Sequence, residues 1–237
     1  MPTPTPTRST GVASAPPGST DATDATETIE TIDAATLRAG FRRARRSIDR
    51  HAAALTRLDA VLGDGDHGDN LAIGFQAVDE LLDELPATTL PGELLRAIGY
   101  RLVGAVGGAS GPLYGTACIE AGFSAGTAEA LDAALLAAML RAAADGLARR
   151  GRCAVGDKTI LDALGPAADA FAVAVAAGGG LGAAQRRAIG AARAGMLGTR
   201  PLVARRGLAL RLGPRSAGHL DPGAVSCYLL LAALAVR

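Results

Sequence analysis

From Ile32 to the C-terminus, apolar residues return every three or four positions and show no sustained alternation, the spacing of helices that bury one face. Ile32, Leu37, Phe41 and Ile48 make the first such stripe. Glycines and prolines near 63–68, 86–92, 107–112, 151–156, 178–182 and 213–223 then cut the pattern into segments. The segments 32–58, 68–85, 91–106, 112–126, 131–150, 158–177, 181–206 and 222–236 predict eight helices and no strand. Aromatic residues are only 3% of the chain, with no Trp, so the core must be built from Ala, Leu, Val and Ile. Side chains that small require helices that approach one another closely. The expected fold is all-α.

A chain of 237 residues fits one such domain, over residues 31–237, without needing staples. Residues 1–30 are rich in Pro, Thr and Ser and cannot bury enough apolar surface to order themselves, so a flexible tail is expected there. That tail lacks an apolar signal core, and the last apolar run, 224–236, is shorter than the roughly 20 residues a bilayer needs. Neither secretion nor a membrane is suggested. Lys and Arg number 24 against 23 Asp and Glu, a balance with no footprint for nucleic acid or an anionic surface. The basic run "RRARR", residues 42–46, is read as a solvated helix face and not as an RNA contact. Cys118, Cys153 and Cys227 lie in apolar runs and are odd in number, which suggests reduced thiols in the cytoplasm.

With a small ligand or a protein partner favoured, the chemistry must lie in the loops between helices. In "LDAVLGDGDHGDN", residues 58–70, Asp64 and Asp66 are two apart in a glycine-relaxed segment, so their side chains leave on one side, with Asp59 in reach. Three carboxylates converging without a basic neighbour repel one another unless a cation sits among them. Oxygen ligands of this kind suit Mg²⁺. A solvated Asp/Gly turn is the alternative; a calcium loop of the EF-hand type fails, because Phe75 stands where its closing Glu is required.

"VGGASGPLYGT", residues 106–116, offers unobstructed backbone N–H groups followed by a helix start, an anion cradle to which Ser110 can add a hydroxyl. It is not a Walker loop, and close packing at a helix break would also explain it. "GRCAVGDKTILDAL", residues 151–164, holds the chain's single lysine, Lys158, which suits either a direct ligand contact or a salt bridge that orients a carboxylate. Thr159 and Asp162 have the spacing of a capping pair. In "GPRSAGHLDPGAVS", residues 213–226, Asp221 and Pro222 read as a helix N-cap and first position, which leaves His219 unexplained.

Taken in this order and spacing, "LDAVLGDGDHGDN", "VGGASGPLYGT", "GDKTILDAL" and "RSAGHLDPGA" resemble the nucleotide-binding L subunit of dihydroxyacetone kinases, over residues 32–236. The related domain of fatty-acid kinases has Thr where His67 stands, so the resemblance is to the dihydroxyacetone type. It implies an eight-helix antiparallel closed bundle, a helical barrel, that holds ADP or ATP at one end through two Mg²⁺ ions. Carried over by motif, Asp59, Asp64 and Asp66 correspond to the metal ligands. His67, Gly68, Asp69, Asn70, Ala109 and Ser110 would line the nucleotide. Gly151 and Ile160 would wall the adenine, and Asp221, Pro222 and Gly223 would close the site.

The resemblance further implies that the phosphate passes to a ketose held on a separate K subunit. No catalytic side chain of this chain is implied. The donor is either an ADP recharged in place by a phosphohistidine carrier of the phosphotransferase system or an exchanging ATP, and a homodimer is expected within the complex. One departure stands out: "GLALRLGPRS", residues 207–216, has Leu208 where the family has an arginine on the nucleotide, with Arg205, Arg206 and Arg211 as nearby substitutes. A kinase for another ketose such as erythrulose, or a non-catalytic helical scaffold that binds divalent cations, remains as an alternative.

Overall fold

A computed structural model describes residues 1–5 and 30–236 of the chain. The flexible tail expected over residues 1–30 falls almost wholly on 6–29, outside the described residues. Eight α-helices follow in order: α1 (Ala34–Leu62), α2 (His67–Glu84), α3 (Pro91–Ala105), α4 (Ser110–Ala125), α5 (Ala133–Gly151), α6 (Leu161–Ala176), α7 (Leu181–Gly198) and α8 (Pro222–Leu234). Each packs on its predecessor, and α8 packs on α1, so neighbour relations run in a ring. The all-helical reading of the sequence holds.

Three details differ from it. Two-residue strands, β1 (Ile32–Asp33) and β2 (Ala130–Leu131), pair antiparallel with Ile32 opposite Leu131, too short for any alternation to reveal. Helix α1 runs through Asp59 to Leu62. Helix α7 ends at Gly198 and not near 206, and Leu208–Ser216 forms a 3₁₀ segment in the long connection that follows. Pro201 explains the early stop, since it has no N–H to continue the ladder and its ring disfavours a helical residue before it.

Helix starts are set locally. Asp33, Asp132 and Asp221 each accept the backbone N–H three residues on, from Thr36, Leu135 and Ala224, all at 2.7 Å. The small-residue core does bring helices close: a Cβ on Gly99 would lie 2.7 Å from the Gly115 carbonyl, and one on Gly68 only 2.0 Å from that of Ala52. Ala44, Ala163, Ala167, Ala184, Ala192 and Ala224 are fully buried between helices.

The arginines of the basic run do more than face water. Arg43 Nε donates to the Ala233 carbonyl at the end of α8 at 3.0 Å, and Arg42 pairs with Asp79 and Asp83 of α2, while Arg45 also pairs with Asp79. Of the four, Arg46 alone is exposed. They satisfy carbonyls that a helix end leaves open and tie α1 to both its neighbours. Among the described residues no helix is long and apolar enough to cross a membrane.

Candidate functional site

The connections that follow the odd-numbered helices all come to one cavity of about 710 Å³. The first is the acidic one. Asp59, one turn before the end of α1, accepts the N–H groups of Gly65, Asp66 and His67 on its Oδ2, at 3.0, 3.1 and 3.3 Å. One carboxylate thus folds residues 63–66 back over the helix that carries it. Gly63 leaves room for this arrangement, because a Cβ there would stand 2.4 Å from Asp59 Oδ1 and the carboxylate would have to shift. In this fold Asp59, Asp64 and Asp66 offer carboxylate oxygens all within 4.8 Å of one another. None of the ion pairs among the described residues reaches them. An uncompensated, oxygen-only cluster of this density is the donor set of a hard divalent cation. The residues fit Mg²⁺.

The second connection supplies N–H groups. Gly108 sits at φ +63° with open space around its Cα, a left-handed conformation that favours glycine. Helix α4 then starts at Ser110 with no side chain capping it, so its first N–H groups remain available to an anion. Gly107 backs onto Asn70, whose Oδ1 would lie 2.9 Å from a Cβ at that position.

His67 joins the first two connections. Its Nδ1 lies 3.0 Å from Ser110 Oγ and its Nε2 2.8 Å from Ser226 Oγ on α8. Both ring nitrogens are therefore engaged inside the protein, and the residue is buried. Burial holds its pKa below the usual imidazole range, opposed by Asp59, Asp66 and the Pro222 backbone.

The third connection, α5 to α6, is organised by Asp162, whose Oδ1 accepts Gly156 N–H and whose Oδ2 accepts Thr159 N–H, both at 2.6 Å. Thr159 Oγ1 accepts Leu161 N–H at 3.2 Å, so the two side chains brace this loop, but the N-cap of α6 is Ile160 and the expected Thr159–Asp162 capping pair does not cap the helix. Lys158 stands between them at φ +62° with 1% of its surface exposed. Its Nζ donates to the carbonyls of Thr199 at 2.7 Å and His219 at 2.5 Å. Among the described residues no carboxylate forms an ion pair with it, and it lines the cavity; its two bonds fasten the ends of the fourth connection, a role not among those the sequence suggested. Burial lowers its pKa, against the nearby charges of Asp221 and Asp162.

The fourth connection, 199–221, closes the cavity. Asp221 caps α8, and burial raises its carboxyl to about 7, opposed mainly by the Ala224 N–H. Leu208, Arg206 and Arg211 line the cavity, whereas Arg205 does not. Arg206 is already held, its Nε 2.5 Å from the Arg152 carbonyl and 3.5 Å from Asp157. Arg211 makes no hydrogen bond or ion pair among the described residues.

The cavity gathers Asp59, Asp64, Asp66, His67, Ala109, Ser110, Gly151, Ile160, Asp221, Pro222 and Gly223 of the residues that the sequence singled out. Gly68, Asp69 and Asn70 do not line it. Gly68 is a packing contact with α1, Asp69 is exposed on the first turn of α2, and Asn70 lies behind the glycine loop. Sequence reading missed Tyr114 and Ser226, which are joined at 2.6 Å behind His67. A serine within α8, a helix without a single charged residue, was the available signal.

A ring of helices with a carboxylate cluster and a glycine loop at one end defines an all-helical class whose site is assembled from inter-helix loops. The model of the DAK2 domain matches residues 61–236, and the chain belongs to that family. It is 39% identical, over 78% of its length and 85% of the relative's, to the ADP-binding subunit DhaL of PEP-dependent dihydroxyacetone kinase 2 from Listeria innocua. It is 36% identical to an L-erythrulose 1-kinase of Mycolicibacterium smegmatis, with 77% of this chain matching 32% of that one. The crystal structure of the dihydroxyacetone kinase from C. freundii in complex with AMP-PNP and Mg²⁺ superposes with a TM-score of 0.66 at 26% identity, covering 99% of this chain. The chain spans 38% of that crystallised protein.

Proposed function

We propose that this chain is the nucleotide-binding, phosphoryl-transferring subunit of a dihydroxyacetone kinase, working in the cytoplasm with a separate ketose-binding subunit. The observation that carries the reading is the carboxylate cluster and the uncapped start of α4 on one cavity. Carboxylates suited to a metal and N–H groups suited to a phosphate face it together, which supports the reading, and the relatives are named for ADP binding and ketose phosphorylation.

Asp59, Asp64 and Asp66 would hold the Mg²⁺, as two ions. When bound, the metal neutralises charge on the nucleotide's phosphates and lets a further oxygen approach. Asp59 orders the loop that presents the other two carboxylates. The N–H groups from Gly108 into α4 hold phosphate oxygens, and Ser110 adds a hydroxyl. Gly151 and Ile160 wall the base, while Asp221, Pro222 and Gly223 close the cavity over it. Arg211 takes up the phosphate charge that Leu208 cannot, because it is the lining arginine of that connection with no partner among the described residues. Transfer then depends chiefly on position and charge neutralisation.

A phosphohistidine carrier recharging bound ADP is the donor we favour, with a homodimer as the working unit. The erythrulose kinase relative supports erythrulose as a second acceptor. The test is thermal denaturation of the purified protein with ADP or ATP, with and without Mg²⁺, followed by reconstitution with a ketose-binding subunit. A Mg²⁺-dependent upward shift with nucleotide is expected; a shift with Ca²⁺ alone and none with nucleotide would favour a cation-binding scaffold instead. In the reconstituted system, ATP and the phosphocarrier chain are supplied in separate reactions, and the one that yields ketose phosphate identifies the donor.

A further inference from the structure

Tyr114, Ser226, His67 and Ser110 form one hydrogen-bonded chain from the protein interior to the cavity wall, through contacts of 2.6, 2.8 and 3.0 Å. The residues come from α4, α8 and α2, so no local motif explains the chain. His67 cannot reach a ligand with either ring nitrogen while both are engaged. Although His67 also lines the cavity, its hydrogen-bonding effect on a ligand passes through Ser110.

Proton bookkeeping gives the chain a direction. Ser226 has one hydroxyl proton and three acceptors in reach of it, the Gly223 carbonyl at 3.0 Å, His67 Nε2 at 2.8 Å and Tyr114 Oη at 2.6 Å, and the Tyr114 hydroxyl itself also reaches the Gly223 carbonyl at 3.3 Å. Tyr114 can give its own proton to Ser226 Oγ. If Ser226 donates to Gly223, or to Tyr114 while Tyr114 donates to Gly223, Nε2 must carry the ring proton, Nδ1 accepts from Ser110, and only lone pairs of Ser110 face the cavity. If Ser226 donates to Nε2, Nδ1 carries the ring proton and donates to Ser110, whose hydroxyl proton then faces the cavity. Both arrangements have a neutral ring with one proton, so nothing titrates between them. A phosphate oxygen needs a donor.

We propose that Ser226, backed by Tyr114, is a positioning residue for the phosphate cradle: in the nucleotide complex the chain runs Tyr114 to Ser226 to His67 to Ser110, and it turns the Ser110 hydroxyl onto a phosphate oxygen. This rests on the nucleotide reading above. Ser110→Ala and Ser226→Ala are each expected to weaken Mg–ADP binding about tenfold, the effect of one hydrogen bond to a charged acceptor. Because the two act through one bond, the double variant loses little more than either single one. Adenosine, which has no phosphate, binds all three variants like the wild type. A merely structural role for Ser226 would weaken adenosine as well.

Calorimetric titration reads both ligands, and ¹⁵N NMR of the His67 ring reads the proton directly. The Nδ1–H form is expected in the wild-type Mg–ADP complex and loses its preference in Ser226→Ala. Additive losses in the double variant, an Nε2–H ring in the wild-type complex, or equal losses for adenosine would each overturn the positioning role. Should Ser226→Ala fold poorly, Tyr114→Phe removes only the hydroxyl that feeds the chain, and an unchanged Mg–ADP affinity there would refute it. Failure of the wild type to bind Mg–ADP at all would sink the nucleotide reading itself, a result distinct from all of these.

Discussion

The connections after α1 and after α7 both line the cavity, yet they are held in opposite ways. The first is four residues long and is set by its own neighbour, since Asp59 one turn upstream accepts its N–H groups. The second runs over residues 199–221, and its ends are fastened by Lys158, which reaches the Thr199 and His219 carbonyls across 41 and 61 positions of sequence. The short loop carries exposed ligands on local scaffolding. The long one ties its own ends through the Gly218 N–H to Arg200 carbonyl and Asp221 N–H to Thr199 Oγ1 bonds and adds a buried cation from another loop, so damage to it should appear as lost stability before lost chemistry.

The largest effect expected is on turnover. Asp64→Ala removes one carboxylate from the exposed cluster and should lower ketose phosphorylation in the reconstituted system at least about 100-fold, because a metal loses a ligand while its phosphate remains. Its denaturation midpoint should hardly move, since Asp64 is exposed. Retained activity would break the comparison by removing the short loop from the chemistry.

Lys158→Met should reverse that pattern. It leaves two carbonyls without their donor in a buried setting, which costs about 2–3 kcal/mol in chemical denaturation. A variant as stable as the wild type would mean that Lys158 does not fasten the long connection.

A smaller effect is expected from pH. The Asp221 carboxyl is raised to about 7 in the folded chain from an ordinary value of 3.8. The folded state then binds the proton more tightly than the unfolded one, so this group's contribution is fully present below about pH 4 and is lost as pH rises towards 7. Asp221→Asn keeps an N-cap acceptor and removes the titration. Without metal or nucleotide, its stability should fall less between pH 4 and 7 than that of the wild type; equal slopes would exclude the buried carboxyl as the cause.

The smallest concerns the arginine. Arg211→Ala should weaken Mg–ADP about three- to tenfold, as loss of one partly solvated charge contact does, and Leu208→Arg should tighten it by a similar factor. Opposite or null effects in titration calorimetry would place the phosphate charge elsewhere on the long connection.

What was legible in the sequence was what depends on near neighbours. Helix periodicity, the Asp221 cap, the close-packed small residues and the spacing of Asp59, Asp64 and Asp66 are all set within a turn or a loop, where backbone geometry leaves few choices. The early end of α7 has a local cause too, in Pro201, which the expected helix to 206 passed over. The rest belongs to residues far apart in the chain. That Lys158 holds carbonyls, that Arg206 is engaged while Arg211 is not among the described residues, and that His67 spends both nitrogens on Ser110 and Ser226 were decided only when the loops after α5 and α7 and the helices α2, α4 and α8 met around one cavity. A polar side chain has several possible partners in the sequence. Burial makes it choose, because a donor or acceptor taken from water must find its bond among whatever groups the fold has brought within reach.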